Sequence, residues 1–440
     1  MKVSFKTLGC RLNQHETDAL VSTFDREGFE IVDFKESSDI TVINTCTVTS
    51  QSDHKSRNII QQAIKANPGT QIVVTGCMAE QYKMELEQLP GVALVVSNTN
   101  KSQLVDMVKT KLNNEELQIT QADVFSYQPV QKSLHTRAAI KIQDGCDNYC
   151  TFCIIPQVRG RAVSRPVNEI LTNIKQTLAN GFKELVITGV NIGRYYYDGV
   201  RFVGLLKQIL DIPGDFRVRI SSLEPDGFGT ELVDLFNNPK LAPHLHLCLQ
   251  SGSDPILLKM RRMYSVDQYL ELINALKSKY PNFNITTDII VGFPGETDTH
   301  FKQTLKLANQ VGFSHIHTFK YSVRSGTTAE RMENQIGETT KNLRSEAIRE
   351  VSDINKREYY TKFLHKTEWV LVEKQLGDDW YFGYGEHYIP ITFKHSQNLK
   401  NEYVQIRIDD FAETEKLMMQ GILIQKQIVE SEKKSLLLNV

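Results

Sequence analysis

Apolar and polar positions change their period several times along the first 125 residues. Short apolar runs, typical of buried strands, alternate with segments of helical spacing such as Ala19, Leu20 and Phe24. The pattern predicts strands at 1–8, 39–44, 71–75 and 92–96, and helices at 14–27, 52–65, 81–89 and 101–112. Because strands and helices alternate, this first domain, residues 1–125, is expected to be a mainly parallel sheet with helices on its faces.

The same alternation continues through a second predicted domain, residues 132–365. Strands are predicted at 138–143, 184–188, 217–221, 244–249, 285–291 and 316–321, and helices at 167–179, 204–210, 230–237, 266–279 and 299–310. About six strand–helix units favour a full or partial βα barrel, in which functional groups lie at the C-terminal ends of the strands.

A change of pattern near residue 366 marks a third domain. A charged amphipathic helix at 339–364 leads to short strands at 368–373, 380–384, 388–393, 403–408 and 421–425. They predict a small all-β barrel over 366–430, of the OB type or a related one, which often binds nucleic acid. The aromatic residues there would stack on bases or form the barrel core; they are Trp380, Tyr381, Tyr384, Tyr388 and Phe393. Residues 431–440 are expected to form a loose or helical tail. The predicted fold class is therefore α/β with a small C-terminal β barrel.

The amino-acid composition limits which binding partners and which cellular compartment are expected for this chain. The chain has 440 residues, of which 40% are hydrophobic, and a formal net charge of −1. A nearly neutral protein binds nucleic acid only through a local basic patch. No apolar run is long enough to cross a bilayer, so no membrane partner is expected. Seven cysteines without an export signal indicate a reducing, cytoplasmic location, where cysteine usually serves metal binding or catalysis.

Three cysteines, Cys146, Cys150 and Cys153, follow the first strand of the second domain at Cys-x3-Cys-x2-Cys spacing. Three thiolates this close can hold three corners of a 4Fe–4S cluster and leave one iron open, as radical chemistry on S-adenosylmethionine requires. A zinc site would need a fourth ligand nearby, and a disulfide would leave one cysteine unpaired. The spacing, with Phe152 before the last cysteine, resembles the signature of the radical S-adenosylmethionine superfamily.

Cys10, Cys46 and Cys77 each follow the C-terminal end of a predicted strand of the first domain. Because these ends line one crevice in an open α/β sheet, cysteines far apart in sequence are expected to meet there. The positions predict a second three-cysteine cluster site, with Gly9 and Gly76 allowing tight turns beside it. The alternative is three separate buried cysteines that act only as small hydrophobic residues.

Loops at the predicted strand ends of the second domain offer groups for S-adenosylmethionine. A glycine-edged backbone can approach its amino group closely, polar side chains can bind the ribose hydroxyls or the ammonium, and an aromatic ring can cover the adenine. The candidate residues are Phe152, Gly189, Val190, Ser222, Glu224, Gln250, Asp288 and Ile290. Ordinary turn chemistry is the alternative for each loop, because glycine, proline and serine are common in turns.

Charged residues after the Cys146 loop suggest a contact with nucleic acid. Arg159, Arg161 and Arg165 could clamp phosphates at the mouth of the site, or they could be incidental charges of a solvated loop. Histidines that alternate along two predicted strands are expected to be packed in the interior; they are His244, His246, His315 and His317.

Together the motifs resemble those of the radical S-adenosylmethionine methylthiotransferases along nearly the full chain. The matching segments are LGCRLN at 8–13, NTCTV at 44–48, TGC at 75–77, the cysteine loop at 144–156 and TDIIVGFPGE at 287–296, with a C-terminal part that looks like a TRAM domain. The resemblance implies addition of a methylthio group to a tRNA adenosine beside the anticodon, or to an aspartate of a ribosomal protein.

The segments at 8–13 and at 188–195, TGVNIGRY, look like the branch that acts on threonylcarbamoyladenosine. The alternatives are the branches for isopentenyladenosine and for the ribosomal protein, or a non-catalytic iron–sulfur protein that binds RNA. Cys248, where many members have proline, is interpreted as a barrel residue without a cluster role.

The resemblance also implies two 4Fe–4S clusters with separate tasks. The cluster on Cys146, Cys150 and Cys153 would cleave S-adenosylmethionine to a 5′-deoxyadenosyl radical, which removes hydrogen from C2 of the adenine. The cluster on the other three cysteines would supply or hold sulfur that is methylated from a second S-adenosylmethionine. The implied partners are an external reductant, a sulfur source and the tRNA anticodon stem-loop, with Arg159, Arg161, Arg165 and Tyr388 as its candidate contacts.

Overall fold

The protein is described by a computed structural model that covers residues 1–116, 123–131 and 133–426. The predicted tail at 431–440 lies outside the described residues, as do 427–430 of the predicted β barrel, 117–122 of the first predicted domain and residue 132.

A five-stranded parallel sheet in the order β2-β1-β3-β4-β5 forms the N-terminal part of the molecule. Its strands are β1 (Lys2–Thr7), β2 (Glu30–Val32), β3 (Ile40–Thr45), β4 (Gln71–Gly76) and β5 (Val92–Val96), and its helices are α1 (Arg11–Arg26), α2 (Ser50–Ala66), α3 (Cys77–Gln81), α4 (Lys83–Glu87) and α5 (Leu104–Leu112). One hydrophobic cluster joins the strands to α1 and α5, and another joins them to α2, α3 and α4. The predicted parallel sheet with helices on its faces is confirmed.

Two local elements of this part differ from the prediction. The short strand β2 was not expected, because three residues carry too little periodicity to be recognised. The expected helix at 81–89 is the shorter α4, and the unexpected helix α3 precedes it; Tyr82 leaves helical geometry between them with φ −127° and ψ 36°. Helix α3 begins at Cys77, which places this thiol in the first turn of a helix.

The central part alternates strands with helices, as expected. Its strands are β6 (Ala138–Lys141), β7 (Gln143–Asp144), β8 (Val163–Ser164), β9 (Glu184–Thr188), β10 (Tyr196–Tyr197), β11 (Val200–Arg201), β12 (Arg217–Ile220), β13 (Ser222–Leu223), β14 (His244–Leu247), β15 (Asn284–Val291) and β16 (His315–Lys320). Its helices are α6 (Ile155–Arg159), α7 (Val167–Ala179), α8 (Phe202–Leu210), α9 (Gly229–Leu235), α10 (Asp254–Lys259), α11 (Val266–Lys279) and α12 (Asp298–Val311).

Two parallel sheets, β6-β9-β12 and β13-β14-β15-β16, make up one curved arc. A single residue, Ser221, separates β12 from β13, and its N–H donates to the Ile187 carbonyl at 3.0 Å. One hydrophobic core runs from the strands to the surrounding helices. The arrangement is a partial βα barrel, in agreement with the prediction, although the short helices α6 and α10 were not expected.

A closed five-stranded barrel follows the long helix α13 (Glu338–Thr361). Its strands, in the spatial order β17-β18-β19-β21-β20, are β17 (Thr367–Gly377), β18 (Trp380–Tyr384), β19 (Pro390–Lys394), β20 (Tyr403–Phe411) and β21 (Met419–Lys426). Tyr381 and Phe393 belong to its core, whereas Trp380, Tyr384 and Tyr388 are half-buried. The all-β barrel is confirmed, and two of the five aromatic residues, Tyr381 and Phe393, have the predicted core role.

Two arginines of β12 join the central barrel to the C-terminal one. Arg217 donates to the Trp369 carbonyl at 2.8 Å, and Arg219 donates to the Gly385 carbonyl at 2.7 Å. Glu184 of β9 accepts a bond of 2.6 Å from each of them. The buried ion triad therefore fixes the C-terminal barrel over one end of the central strands. Within the described parts of the chain, no helix has both the length and the apolar character that crossing a membrane would take.

Candidate active site

The loop after β7 carries Cys146, Cys150 and Cys153. Gly145 turns the chain into this loop with φ +66°, and a Cβ there would overlap the Arg161 backbone. Burial, together with the neighbouring Cys150 and Cys146, raises the pKa of the Cys153 thiol to about 12. The three thiols therefore lie close enough to interact electrostatically. Buried thiols of this kind lose their protons readily only to a bound metal.

Hydrogen-bond donors surround these sulfurs. The Cys146 Sγ lies 3.5 Å from the Asn148 N–H and 3.9 Å from Asn191 Nδ2. The Cys150 Sγ lies 3.2 Å from Arg262 Nη1. Donors and a cation placed at the sulfurs stabilise the negative charge of metal-bound thiolates, so the surroundings of this loop fit an iron–sulfur cluster.

Glu224 fixes the geometry around this loop rather than standing free. Its carboxylate lies 3.0 Å from Arg262 Nη2 and accepts a 2.6 Å bond from Asn148 Nδ2. Both partners in turn contact a cluster-loop sulfur. The predicted cofactor residue Glu224 is therefore tied to the cysteine loop through two side chains.

The other three cysteines gather at the C-terminal edge of the N-terminal sheet. Cys10 is exposed and precedes α1, whereas Cys46 and Cys77 are buried. Burial, together with the neighbouring Cys77 and Cys10, raises the pKa of Cys46 to about 11. Gly9 has φ +99°, and a Cβ there would come within 2.9 Å of the Cys46 Cβ. The structure thus brings these thiols together at a turn that only glycine fits.

Helix α6 lies between the two cysteine groups. Cys77 packs against Ile154 and Val158, immediately after the last cysteine of the Cys146 loop. Asn98 Nδ2 lies 3.8 Å from the Cys77 Sγ and donates to the Val158 carbonyl at 2.8 Å. A short segment, residues 153–159, therefore connects the two thiol groups in space.

A buried ion network anchors the end of this segment. The Arg159 guanidinium lies 2.9 Å from Glu16 and 3.1 Å from Asp144. Lys141 bridges the same two carboxylates, and Lys101 lies 2.6 Å from Glu16. Burial alone would lower the pKa of Arg159, but Glu16 and Asp144 hold it well above its usual value. Three cations and two carboxylates leave one positive charge in excess, which Arg159 exerts on Cys10 and Cys77.

The prediction that Arg159, Arg161 and Arg165 clamp phosphates is wrong for two of the three residues, because the side chains of Arg159 and Arg165 are buried. Arg159 has only 1% of its side chain exposed, so its guanidinium is occupied inside the protein. Arg165 also points inward, where it bonds Asn173 and pairs with Glu169. Arg161 alone of the three is exposed, at 78%, beside Asp147. This difference could not be predicted from the sequence, because it depends on which carboxylates fold against the loop.

A cavity of about 1560 Å³ opens between the three parts of the chain. It is lined by the predicted site residues Cys10, Gly189, Ser222, Asp288 and Tyr388. The remaining predicted cofactor residues lie in the walls of the central barrel. Phe152 and Ile290 share a hydrophobic cluster with Phe293, Val190 donates from its backbone to Gln143 Oε1 at 3.0 Å, and Gln250 extends the sheet beside β15 with φ +65°.

Three further contacts at or near the cavity were not predicted. His246 lies 3.2 Å from Asp288, which raises the pKa of His246 to about 10 although burial opposes its charge. The Cys248 Sγ lies 4.0 Å from the same carboxylate. His244 is buried and stacks on Tyr388 at 4.7 Å, which agrees with the expected interior position, whereas His317 is exposed. In the sequence, the alternation of His244 and His246 along β14 was the only feature that pointed to these contacts. Arg11 lines the same cavity, and no sequence feature indicated that it would do so.

Comparison with known proteins agrees with this geometry. Residues 2–97 match the family model described as "Uncharacterized protein family UPF0004", and residues 140–308 match the radical SAM superfamily. The solved radical S-adenosylmethionine methyltransferase TsrM of Kitasatospora setae has a similar fold, with a TM-score of 0.54 and 14% identity over 72% of each chain.

Full-length relatives are closer in sequence. The threonylcarbamoyladenosine tRNA methylthiotransferase MtaB of Bacillus subtilis is 36% identical over 92% of this chain and 93% of its own length. The enzyme of that name from Aquifex aeolicus is 38% identical, over 82% and 90%. The tRNA-2-methylthio-N(6)-dimethylallyladenosine synthase of Fusobacterium nucleatum is 34% identical, over 93% and 97%.

Proposed function

Because this chain belongs to the radical S-adenosylmethionine tRNA methylthiotransferase family, we propose that it converts N6-threonylcarbamoyladenosine beside the tRNA anticodon to its 2-methylthio form. The family implies a 4Fe–4S cluster and S-adenosylmethionine as cofactors. The observation that carries the proposal is the pair of three-cysteine groups on either side of residues 153–159. The choice of nucleoside is supported by the relatives at 36–38% identity that are named for it and by the TGVNIGRY segment.

Each group of cysteines has a separate task in this proposal. Cys146, Cys150 and Cys153 would hold the cluster that, with S-adenosylmethionine bound, supplies a carbon radical able to abstract hydrogen. The other group would hold a second cluster that presents the sulfur; its members are Cys10, Cys46 and Cys77. An external reductant and an external sulfur source complete the chemistry. Because Cys10 lines the cavity, the sulfur and the adenine ring meet at that wall.

The side chains around the first group orient and stabilise what binds there. Arg262 and Asn191 donate toward the sulfurs and favour their deprotonated form. Glu224 keeps Arg262 in place. Phe152 and Ile290 form an apolar surface of the kind that an adenine ring covers, while the missing side chain of Gly189 lets its loop pack closely against Gln143 and Ile192.

The remaining candidates for S-adenosylmethionine are polar groups at the strand ends. Ser222 and Asp288 line the cavity and could bind the ribose or the ammonium group. Gln250 and Val190 lie on loops whose backbones are fixed by neighbouring strands. These assignments remain predictions, as do the domain limits 1–125, 132–365 and 366–430 and the cytoplasmic location.

The tRNA would enter over the open side of the cavity. The cavity wall holds seven lysines and arginines against four carboxylates, an excess that attracts an RNA backbone; the cations are Arg11, Arg137, Arg219, Lys356, Arg357, Lys374 and Lys416, and the acids are Asp288, Asp353, Glu373 and Glu415. Arg161 is exposed beside the Cys146 loop and remains a candidate phosphate contact. The half-buried Tyr388 lies on the C-terminal barrel wall of the same cavity.

The test is nucleoside mass spectrometry of tRNA from a strain that lacks this gene, complemented with the wild type or with single variants. We expect the wild type to restore 2-methylthio-threonylcarbamoyladenosine and Cys77→Ser to leave only the precursor. Cys248→Ser is the matched control, since this thiol belongs to neither group, and it should keep product formation. Product with Cys77→Ser would contradict the role of the second group.

Other outcomes separate the alternatives. Appearance of 2-methylthio-isopentenyladenosine would keep the chemistry and overturn the choice of nucleoside. Unchanged tRNA would direct the search to ribosomal proteins. If the reduced, anaerobic protein releases no 5′-deoxyadenosine from S-adenosylmethionine, the protein is not a radical enzyme and a non-catalytic RNA-binding role would replace the proposal.

A further inference from the structure

One cation in the wall of the cavity, Arg11, stands without a carboxylate. It follows Cys10 directly, is half-buried and lines the cavity. Its Nη1 donates to Gln14 Oε1 at 3.1 Å and its Nη2 donates to Tyr388 Oη at 2.9 Å. Among residues 1–116, 123–131 and 133–426, no aspartate or glutamate lies within ion-pair distance of it. A half-buried guanidinium that meets only neutral acceptors is suited to an anionic ligand.

The neighbouring arginines of the cavity differ in this respect. Arg137 lies 2.9 Å from Glu373, and Arg219 lies 2.6 Å from Glu184. Glu184 is shared with Arg217, so both arginines have a carboxylate partner within the protein; both also lie near Tyr388, at 5.4 and 5.0 Å from its ring. Of these three guanidiniums, the one beside Cys10 is the one without a carboxylate partner among the described residues.

A rigid aromatic column holds Arg11 in place. Tyr388 stacks on His244 and on Tyr384, each at 4.7 Å between ring centres. Its backbone has φ +61°, a conformation that non-glycine residues rarely adopt without a structural or functional reason. Tyr388 and Gln14 use two of the five guanidinium N–H donors, and no other acceptor of the described residues bonds the rest, which suit a planar, two-oxygen acceptor.

We propose that Arg11 binds the carboxylate of an anionic substituent on N6 of the substrate adenine, and thereby selects threonylcarbamoyl over neutral apolar substituents. This inference rests on the proposed function. C2 and C6 of adenine both flank N1, so a ring that turns C2 to the cluster side of Cys10 presents its N6 substituent along the same wall. The threonine part of threonylcarbamoyladenosine carries a free carboxylate, whereas an isopentenyl group offers no charge. Tyr388 acts as a positioning residue for Arg11.

The test uses two anticodon stem-loop RNAs that differ only at the threonyl carboxyl group. One carries N6-threonylcarbamoyladenosine, and the other carries the same nucleoside with that carboxylate converted to its primary amide. Their dissociation constants are measured for the cluster-loaded full chain under anaerobic conditions without reductant. The proteins are the wild type, Arg11→Gln, Arg11→Lys and the cavity control Lys356→Gln, and circular dichroism and iron content check that each variant is folded and loaded.

We expect the wild type to bind the carboxylate RNA at least about tenfold more tightly than the amide RNA, the usual effect of a hydrogen bond between charged groups. Arg11→Gln should lose this ratio by weakening only the binding of the carboxylate RNA. Arg11→Lys, which keeps the charge but not the planar fork, should retain part of the ratio. Lys356→Gln should leave the ratio unchanged.

Three results would overturn the assignment. Equal weakening of both RNAs by Arg11→Gln would mean that Arg11 contacts a phosphate. If Lys356→Gln reduced the preference for the carboxylate RNA as much as Arg11→Gln does, the overall positive charge of the cavity, rather than Arg11, would select the substrate. Absence of any preference in the wild type would remove the basis of the inference. Conversion of the carboxylate RNA by the wild type, followed by mass spectrometry, tests the proposed function separately from this binding ratio.

Discussion

Replacing Arg159 by glutamine tests whether the buried ion network holds the two cysteine groups together. The guanidinium donates to Glu16 and Asp144 at 2.9–3.1 Å and to Asn13 Oδ1 at 2.7 Å, with 1% of its side chain exposed. Removal of one partner from a buried ion pair costs about 3–5 kcal/mol. The lower end applies, because Glu16 keeps Lys101 and Lys141 as partners.

The measurement must report the local stability of α1 and α6, which the ion network joins, rather than the stability of the whole chain. Trp369 and Trp380 are the only tryptophans, and both lie in the C-terminal barrel, so tryptophan fluorescence would miss the change. Hydrogen exchange followed by mass spectrometry resolves peptides from α1 and from the segment around α6. A loss of about 3 kcal/mol corresponds to a roughly hundredfold increase in the local opening constant of these peptides.

Arg161→Gln is the matched control, two positions away on the same loop. Its side chain also pairs with an aspartate but is 78% exposed, and exposed ion pairs contribute little. We therefore expect no measurable change in exchange for this variant. Equal exchange in Arg159→Gln and Arg161→Gln would refute the reasoning, because it would show that the network contributes no more than a surface pair.

Three further changes have defined outcomes. Glu184→Gln removes the shared carboxylate of the β12 arginines and should destabilise the C-terminal barrel by about 3–5 kcal/mol, seen as a lower urea midpoint in tryptophan fluorescence. Gly76→Ala, at φ +99° where a Cβ would overlap the Thr45 carbonyl, should lower the iron content of the purified protein. The pKa of His246 is raised to about 10, so its ion pair with Asp288 stabilises fully below about pH 6.5 and less as pH rises toward 10; Asp288→Asn should abolish this slope in urea midpoints measured against pH.

Local sequence patterns were sufficient to predict the repeating architecture. The strands at 184–188 and 92–96 are found where the apolar runs predict them, because a run of about five apolar residues between turns has the length of a strand and is too short for a typical helix. The cysteines of the first part were also predicted to gather, since parallel strands bring their C-terminal ends to one edge. These inferences needed only the order of elements along the chain.

Long-range pairing was beyond what a single sequence can show. Arg159 and Arg161 have the same chemistry and nearly the same position, yet one is buried and the other exposed. The difference comes from Glu16, which is distant in sequence and meets the loop only after folding. The contact of Arg11 with Tyr388 spans most of the chain and left no local signal either.

Helix α6 has a fixed length between Cys153 and the buried Arg159, and it holds the Cys146 loop at one position against Cys77. It has five residues, with Cys153 shortly before it and Arg159 as its last residue. One inserted residue would rotate Arg159 by about 100° and advance it by about 1.5 Å, which would turn it away from Glu16. Loops elsewhere on the surface can change length at small energetic cost. Length changes in this segment are expected to be costly, because an insertion would shift the Cys146 loop from its fixed position relative to Cys77.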